Sequence, residues 1–134
     1  MSQRRTSEIK KARKKSLLLR EVSELIQSIA TEEPDIATVY VTRVDLSADT
    51  GICYVYFGSF PDPSEQDPQR VFAKALEKLK LYKPSVRKAL GRILQGRYVP
   101  DLVFLFDEKK EKVERINELL DKAYEDVEGF DTKK

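Results

Sequence analysis

Two β-rich stretches separated by a short polar turn place the strongest constraint on how this chain folds. Residues 36–46 are rich in β-branched side chains and alternate in polarity, and the run GICYVYFGSF starts at Gly51. Between them, Ala48, Asp49 and Thr50 have the composition of a turn. The sequence therefore predicts two strands that pair antiparallel as a hairpin.

Helical periodicity surrounds this hairpin. From about Ser7 to Ala30 one face is apolar, and Pro34 ends the segment. The proline-rich loop FPDPSEQDP leads to a second helix that starts at Asp67 and Pro68, because the carboxylate caps free N–H groups and proline suits the first turn. The apolar residues of the first helix are Leu18, Val22, Leu25, Ile26 and Ile29.

The second helix is expected to kink or break at Pro84, since proline removes a backbone hydrogen bond and clashes with the preceding turn. Beyond it, helical phase places Lys88 and Arg92 away from the core and Arg87 at its flank. Gly96 is a candidate C-terminal cap. The buried stripe of this part is predicted as Val86, Leu90, Ile93 and Leu94.

A third strand and a last helix complete the pattern. The run LVFLF at 102–106 has almost no polar face, which predicts a central or well-covered strand. Asp107 is placed to cap the following helix. The apolar residues expected on one side of that helix are Val113, Ile116, Leu119, Leu120, Ala123, Tyr124 and Val127. The order of elements predicts an α+β fold with three strands and helices on one face.

The chain is expected to form one domain over residues 1–128, with 1–8 as a mobile basic tip and 129–134 as a disordered tail. Its fractions of 40% apolar and 36% charged residues are typical of a globular protein with a charged exterior. No apolar run approaches the ~20 residues of a membrane span, and a cytoplasmic location is expected.

Positive charge is concentrated in two segments. Residues 1–20 hold eight basic residues and one acid, and residues 78–100 hold seven basic residues and no acid, although the whole chain has 25 basic and 23 acidic residues. The remainder is therefore acidic. Clustered cations on such a dipolar surface favour nucleic acid as the partner.

The residues needed for catalysis are missing from the sequence. Histidine is absent and Cys53 is the single cysteine, which excludes Cys–His and Ser–His arrangements and a metal cluster built from these residue types. No glycine-rich phosphate loop is present. We expect no enzyme activity, no metal, no cofactor and no small-molecule substrate. In the run ICYVYF, Cys53 is expected to be a buried thiol in a reducing compartment.

Three tyrosines on the predicted hairpin, Tyr40, Tyr54 and Tyr56, leave two interpretations open. Aromatic rings on a sheet stack on RNA bases in some proteins. Alternation, however, places all three on even positions with Ile36, Val44 and Ile52. Core packing is the commoner role of such a stripe and is the prediction here.

Four segments in order resemble the ribosome-binding factor A family. The resemblance extends from about Arg13 to Ala123, and its most specific part is LGRILQGRYVPDLVFLFDE. It implies a type II KH-like fold. It also implies binding to precursors of the small (30S) ribosomal subunit and their rRNA, with a role in late maturation of 16S rRNA and importance at low temperature. The segments are SLLLREVSELIQSI, VTRVDLSADTGICYVYFG, VRKALGRILQGRYVPDLVFLFDE and ERINELLDKA.

Family members have a kink of the Ala-x-Gly type between the two middle helices, and Tyr82, Lys83 and Pro84 stand at that position here. The resemblance implies an RNA-binding surface along the helix, kink and helix, with the N-terminal cations as a second contact. The first group is Lys80, Lys83, Arg87, Lys88 and Arg92, with Arg97 beside it. The second group is Arg4, Arg5, Lys10, Lys11, Arg13, Lys14 and Lys15.

A monomeric assembly factor is the favoured interpretation, and three others stay open. One is a KH-like RNA-binding protein with no ribosomal preference. Another is a protein-interaction or dimer module that uses Leu119, Leu120 and Tyr124 of the last helix, with the basic segments serving solubility. A ribonuclease is the weakest, because no histidine is available as acid or base.

Overall fold

The computed structural model describes residues 2–95 and 98–131, and within these ranges three α-helices accompany a three-stranded sheet. The strands lie in the order β1-β2-β3, with β1 antiparallel and β3 parallel to β2. The predicted hairpin and the α+β class are confirmed. The elements are α1 (Ser2–Ala30), a 3-10 turn (Ile36–Thr38), β1 (Val39–Leu46), β2 (Ile52–Ser59), α2 (Pro68–Ile93), β3 (Asp101–Phe106) and α3 (Glu108–Asp131).

Helices α1 and α3 extend further toward the ends of the chain than the sequence predicted. α1 begins at Ser2, within the stretch 1–8 predicted as a mobile tip. α3 reaches Asp131, so residues 129–131 of the predicted disordered tail belong to the helix. Residues 132–134 lie outside the described residues. Lysine and arginine are good helix formers, and they fill the first turns of α1.

Helices α1 and α2 cover one face of the sheet and enclose the core. At its centre, the ring of Phe57 on β2 meets the ring of Phe104 on β3 edge-on, with 5.4 Å between centroids. Burial of each such side chain contributes about 1.5–3 kcal/mol. The buried residues of the two helices are Leu18, Val22 and Ile26 of α1 and Val71, Phe72, Ala75, Leu79, Val86 and Leu90 of α2.

The hairpin turn is fixed by Asp49 and by a left-handed residue. Thr50 has φ 58°. The Asp49 Oδ1 atom accepts the Gly51 N–H at 2.9 Å and the Ser47 hydroxyl at 2.8 Å. These two hydrogen bonds lower the pKa of Asp49, and the one from Gly51 has the larger effect. The charged carboxylate therefore holds the turn in one conformation.

The prediction that the three tyrosines pack in the core is wrong. On β2, Cys53, Val55 and Phe57 face the helices and are fully buried, so the even-numbered Tyr54 and Tyr56 face the other side. A bulge between Val41 and Arg43 then shifts the alternation of β1 by one residue. For that reason Tyr40, opposite Gly58, lies on the outer face while Val44 is buried.

Helix α2 runs without a break through Pro84, contrary to the predicted interruption. Proline inside a helix costs about 3 kcal/mol. Here Lys80, Pro84 and Lys88 are all exposed, so the carbonyl that loses its N–H partner lies on the solvent side. Leu79 and Val86 on either side are buried, and their packing holds both halves of the helix on the sheet.

The C-terminal end of α2 also differs from expectation. Ile93 is the last residue of the helix and is 36% exposed, whereas Leu94 turns into the core. The left-handed conformation lies at Gln95, with φ 52°, and the predicted cap Gly96 lies outside the described residues. β3 is an edge strand, because β2 takes the central position. None of its residues 102–106 is exposed, so the strand is well covered, which is one of the two predicted alternatives.

Asp107 caps the start of α3 and ties the helix to β1. Its carboxylate accepts the Lys110 N–H at 3.0 Å, the Thr42 hydroxyl at 2.6 Å and the Arg43 Nε–H at 3.3 Å. Burial opposes ionisation, but these hydrogen bonds and the Arg43 charge outweigh it and lower the pKa of Asp107. The predicted cap is confirmed. Arg43 in turn stacks 3.6 Å from the centroid of the Tyr56 ring.

Beyond its first turn, α3 does not join the helical layer. Every described side chain from Lys112 to Ala123 is exposed. The apolar residues within this range share one side, as predicted, but the described elements do not cover that side. The side chains of Tyr124 and Val127, also predicted there, lie outside what the structure describes. The exposed large residues are Val113, Ile116, Leu119 and Leu120.

Candidate nucleic-acid interface

The N-terminal half of α1 lies beside the hairpin turn, and the two form an open hollow. It has a volume of about 580 Å³. Three lysines on one side of α1 line it, together with two threonines and a serine. The lining residues are Thr6, Ser7, Lys10, Lys11, Lys14, Ala48 and Thr50.

A second group of cations lies at the C-terminal end of α2. Lys88 and Arg92 are exposed, as helical phase predicted. Arg87 is half-buried and donates to the carbonyl oxygens of Pro100 and Val99 at 3.3 and 3.4 Å. Arg87 thus holds the segment that enters β3 and leaves part of its charge facing solvent.

The two groups of cations meet at one end of the molecule. The Asp101 N–H donates to the Gly51 carbonyl at 2.9 Å, which joins the start of β3 to the hairpin turn. Gly51 follows Thr50 of the hollow, and Pro100 accepts from Arg87. We call this region the basic end, defined by Lys10, Lys11, Lys14, Arg87, Lys88 and Arg92.

Acidic groups at the basic end are occupied by other contacts. Asp45 accepts from Lys15 at 3.5 Å and Asp49 holds the turn. The Asp101 carboxylate accepts the Leu102 N–H at 2.9 Å. Positive charge therefore outweighs negative charge on the exposed part of this end, and an extended polyanion is the ligand that suits it.

The opposite end of the molecule is acidic. There a hollow of about 510 Å³ has an aromatic floor of Tyr40 and Phe60, whose ring centroids are 4.6 Å apart. Phosphate is disfavoured at this end. The acids around the hollow are Asp62, Glu65, Glu111, Glu114 and Glu118.

The residues at the predicted kink make tertiary contacts. The Tyr82 hydroxyl donates to Glu33 Oε1 at 2.6 Å, which raises the pKa of Tyr82 and ties α2 to the end of α1. Lys83 is half-buried, with its Nζ atom 5.3 Å from the centroid of the Phe104 ring. Lys80 is exposed on the solvent side of α2. Tyr82 and Lys83 thus lie on the two flanks of α2, each against a neighbouring element.

The remaining predicted residues fall into three groups. Arg5 and Arg13 are exposed on α1, whereas Lys15 is paired with Asp45. Arg97 and the side chain of Arg4 lie outside what the structure describes. The sequence interpretation missed Thr6, Ser7 and Thr50, whose hydroxyls line the hollow. The antiparallel hairpin was the available signal, because it brings its turn back beside α1.

Cys53 is a buried free cysteine. Burial raises the pKa of the Cys53 thiol to about 11, so the thiol stays protonated and is a poor nucleophile. Among the described residues, no group of three or more metal-ligating side chains is found. In the same residues, no helix has the length and apolar character needed to cross a membrane.

Together, the mixed sheet, the two helices on one face and the basic end define a KH-like α+β domain with a strongly electropositive surface. The family model for ribosome-binding factor A matches residues 10–120. This match covers most of the chain, which therefore belongs to the ribosome-binding factor A family.

Relatives in sequence and in structure agree with this assignment. Ribosome-binding factor A of Pelobacter propionicus is 31% identical over 83% of this chain and 86% of its own length, and that of Natranaerobius thermophilus is 34% identical over 80% and 79%. The crystal structure of the Thermus thermophilus protein superposes with a TM-score of 0.58 at 29% identity, covering 72% of this chain and 93% of that one. A homology model of the Thermus thermophilus factor, fitted into a cryo-EM map of a 30S-RbfA complex, gives 0.52 at 28% identity, covering 68% and 88%.

Proposed function

We propose that this protein is a non-catalytic assembly factor that binds precursors of the small ribosomal subunit in the cytoplasm. Its basic end would contact rRNA and assist late maturation and processing of 16S rRNA. The observation that carries the proposal is the meeting of two separate cationic segments at one end of the domain, around the bond from Asp101 to Gly51. The relative fitted into the map of a 30S-RbfA complex supports the same partner.

The proposed contact is made through charge and shape. Lys10, Lys11 and Lys14 line a hollow beside the hairpin turn, and Lys88 and Arg92 are exposed near the C-terminal end of α2. An arrangement of this kind follows the backbone of a folded RNA and carries no base-reading motif. If about six phosphates are contacted, log affinity should fall against log salt with a slope of about −4 to −5. A slope near zero would reject the electrostatic contact.

A matched pair of variants on one helix tests the location of the site. Lys88→Glu with Arg92→Glu reverses two exposed charges at the basic end, and Arg70→Glu with Lys74→Glu reverses two exposed charges at the other end of α2. Sedimentation with purified small-subunit precursors should show affinity reduced by about tenfold or more for the first pair only, because two of about six phosphate contacts become repulsive. Equal losses in both pairs would contradict the assigned surface.

Two further measurements separate this function from its rivals. The factor should co-sediment with small subunits in preference to messenger RNA, and equal binding to both would favour a general RNA-binding protein. RNA incubated with the pure protein should stay intact, since the sequence contains no histidine to act as acid or base. In cells that depend on the Lys88→Glu, Arg92→Glu variant, unprocessed 16S rRNA should accumulate, most strongly at low temperature.

A further inference from the structure

The sheet face turned away from α1 and α2, which we call the outer face, carries two tyrosines at its centre. Tyr54 and Tyr56 alternate with the fully buried residues of the central strand β2 and are half-buried themselves. Their partners on β3, Val103 and Leu105, are half-buried too. These four side chains form a continuous aromatic and apolar surface, and the proposed contact through the basic end makes no use of it.

The described elements of the chain leave this surface uncovered. Helices α1 and α2 pack on the opposite face, and every side chain of α3 over residues 112–123 is exposed, so α3 does not lie across the sheet. Tyr40, which is also on the outer face, is occupied. Lys110 Nζ lies 4.3 Å from the centroid of its ring, and the Phe60 ring lies 4.6 Å away. The free part of the outer face is therefore the part that contains Tyr54 and Tyr56.

The two tyrosines present different stacking surfaces. The Arg43 guanidinium lies 3.6 Å from the centroid of the Tyr56 ring, and Arg43 Nε donates to the Asp107 carboxylate at 3.3 Å, which holds this stack in place. Among the described residues, no aromatic ring or cation stacks on Tyr54. Bases of single-stranded RNA stack on both kinds of surface, on aromatic rings and on guanidinium planes.

The outer face is continuous with the basic end. Tyr54 lies three residues, about 10 Å, along β2 from Gly51, whose carbonyl accepts the Asp101 N–H at the basic end. Asp45, the strand partner of Tyr54, is paired with Lys15 at 3.5 Å, so its charge is partly compensated. An RNA strand whose phosphates contact the basic end can therefore place its next nucleotides over Tyr54.

We propose that the outer face binds an unpaired stretch of RNA, with its bases stacked on Tyr54 and on the pair of Arg43 and Tyr56. The inference rests on the proposed function, because it takes RNA as the partner, and it adds a preference for single-stranded segments. RNA is favoured over a protein partner because the surface adjoins the basic end and carries aromatic rings with a guanidinium. Stacking tolerates any base, so the face selects unpaired bases and not a particular sequence.

Binding of the full chain to a single-stranded RNA of about eight nucleotides tests the stack. The RNA carries a central 2-aminopurine between uridines, whose fluorescence should be quenched on binding because the base stacks on a ring. Tyr54→Leu combined with Tyr56→Leu should abolish the quenching and lower the affinity by at least about tenfold. The slope of log affinity against log salt should stay the same, since no charge is altered. A wild type that binds without quenching would overturn the proposal.

Matched controls separate stacking from a general loss of binding. Tyr54→Phe combined with Tyr56→Phe keeps both rings and should bind like the wild type. Phe60→Leu removes a ring that is 51% exposed at the acidic end, and it should leave RNA binding unchanged. A blunt RNA duplex should bind the wild type and the leucine variant equally, because its paired bases are not free to stack. Equal losses for the duplex and the single strand would overturn the proposal.

The same measurements distinguish a failure of this inference from a failure of the proposed function. If the leucine variant keeps full affinity for the single strand while Lys88→Glu with Arg92→Glu loses it, the outer face is not the site and the basic end remains. If the leucine variant binds the strand normally but loses binding to small-subunit precursors, the partner of the outer face is a protein and the inference fails. If neither variant loses RNA binding, the proposed function fails as well.

Discussion

Helices α2 and α3 have similar sequence patterns and opposite environments. Each is over twenty residues long, begins at an aspartate cap and carries an apolar stripe. The stripe of α2 is buried at Leu79 and Leu90, whereas Leu119 and Leu120 of α3 are exposed. An apolar stripe thus indicates that a helix needs a partner, but the free surface of the sheet decides whether the partner lies in the same domain.

The largest expected difference between the two helices is in the loss of stability when a leucine of the apolar stripe is shortened to alanine. Leu90→Ala should lower the free energy of unfolding by about 2–5 kcal/mol, because it opens a cavity under α2. Leu120→Ala should change it by less than about 0.5 kcal/mol in the monomer, since the side chain is already exposed. Urea unfolding at low protein concentration measures both values. A similar cost at Leu120 would mean that α3 belongs to the core.

The second largest difference is expected in the stability that the N-terminal caps of the two helices contribute. Asp107→Ala should cost about 2–3 kcal/mol, because a buried carboxylate with hydrogen bonds from Thr42 and Arg43 is lost. Asp67→Ala should cost about 1 kcal/mol, since this exposed cap accepts the Gln69 N–H and otherwise makes only an exposed ion pair with Arg70 at 3.8 Å. Thermal unfolding of the two variants side by side measures the difference. Equal costs would contradict the role of Asp107 in tying α3 to β1.

The same cap predicts a pH dependence. The pKa of Asp107 is lower in the folded chain than its ordinary value of 3.8. Its contribution to stability is therefore complete above pH 3.8 and is lost as the pH falls through the lower folded-state pKa. Asp107→Asn should be less stable than the wild type at neutral pH. The difference in free energy of unfolding between the two proteins should become smaller below pH 3.8. A difference that is constant down to strongly acidic pH would reject the assignment.

The proline in α2 provides a smaller effect. Pro84→Ala should raise the free energy of unfolding by about 1 kcal/mol, because the restored N–H completes the helix while the greater freedom of the unfolded chain offsets part of the gain. Proline placed at the equivalent mid-helix position of α3, Ala123→Pro, should reduce helical content without loosening the core. Circular dichroism with urea unfolding separates the two outcomes. A destabilised Pro84→Ala variant would show that the proline shape is required.

The smallest effect concerns Tyr82. Its pKa is raised by the hydrogen bond to Glu33, so its hydroxyl should ionise at higher pH than the ordinary tyrosine value of 10.0. The folded chain holds this proton more tightly, and its stabilising contribution is lost as the pH rises above 10.0. Tyr82→Phe should remove that part of the alkaline titration seen in ultraviolet absorbance. An unchanged titration curve would mean that the bond to Glu33 does not form.

Much of the fold follows from local patterns in the sequence. The hairpin, the buried stripe of α1 and the caps at Asp67 and Asp107 depend on neighbouring residues, and all are confirmed. The face of Tyr40 relative to Val44 does not, because one inserted residue between Val41 and Arg43 reverses the alternation of β1. On β2, both alternating sets of side chains are largely apolar or aromatic, so composition alone did not decide that Cys53, Val55 and Phe57 would face the helices. The continuity of α2 through Pro84 depends on tertiary packing at Leu79 and Val86.

In the candidate site, too, some features follow from local sequence and others depend on tertiary contacts. Helical phase was enough to place Lys88 and Arg92 in solvent. The meeting of the two cationic segments depends on the pairing of β3 with β2, which is a long-range contact. The contact of Tyr82 with Glu33 spans 49 residues and could not be predicted from spacing. The RNA-binding roles of these residues stay predictions until they are measured.

The parallel pairing of β3 with β2 has a consequence for the order of folding. α1 and the hairpin are complete by Ser59, but β3 finds its place beside β2 only after the whole of α2 has crossed the sheet. During synthesis, the N-terminal part would therefore collapse first with the edge of β2 unpaired. The final strand closes that edge and, through the bond from Asp101 to Gly51, assembles the basic end in the last step.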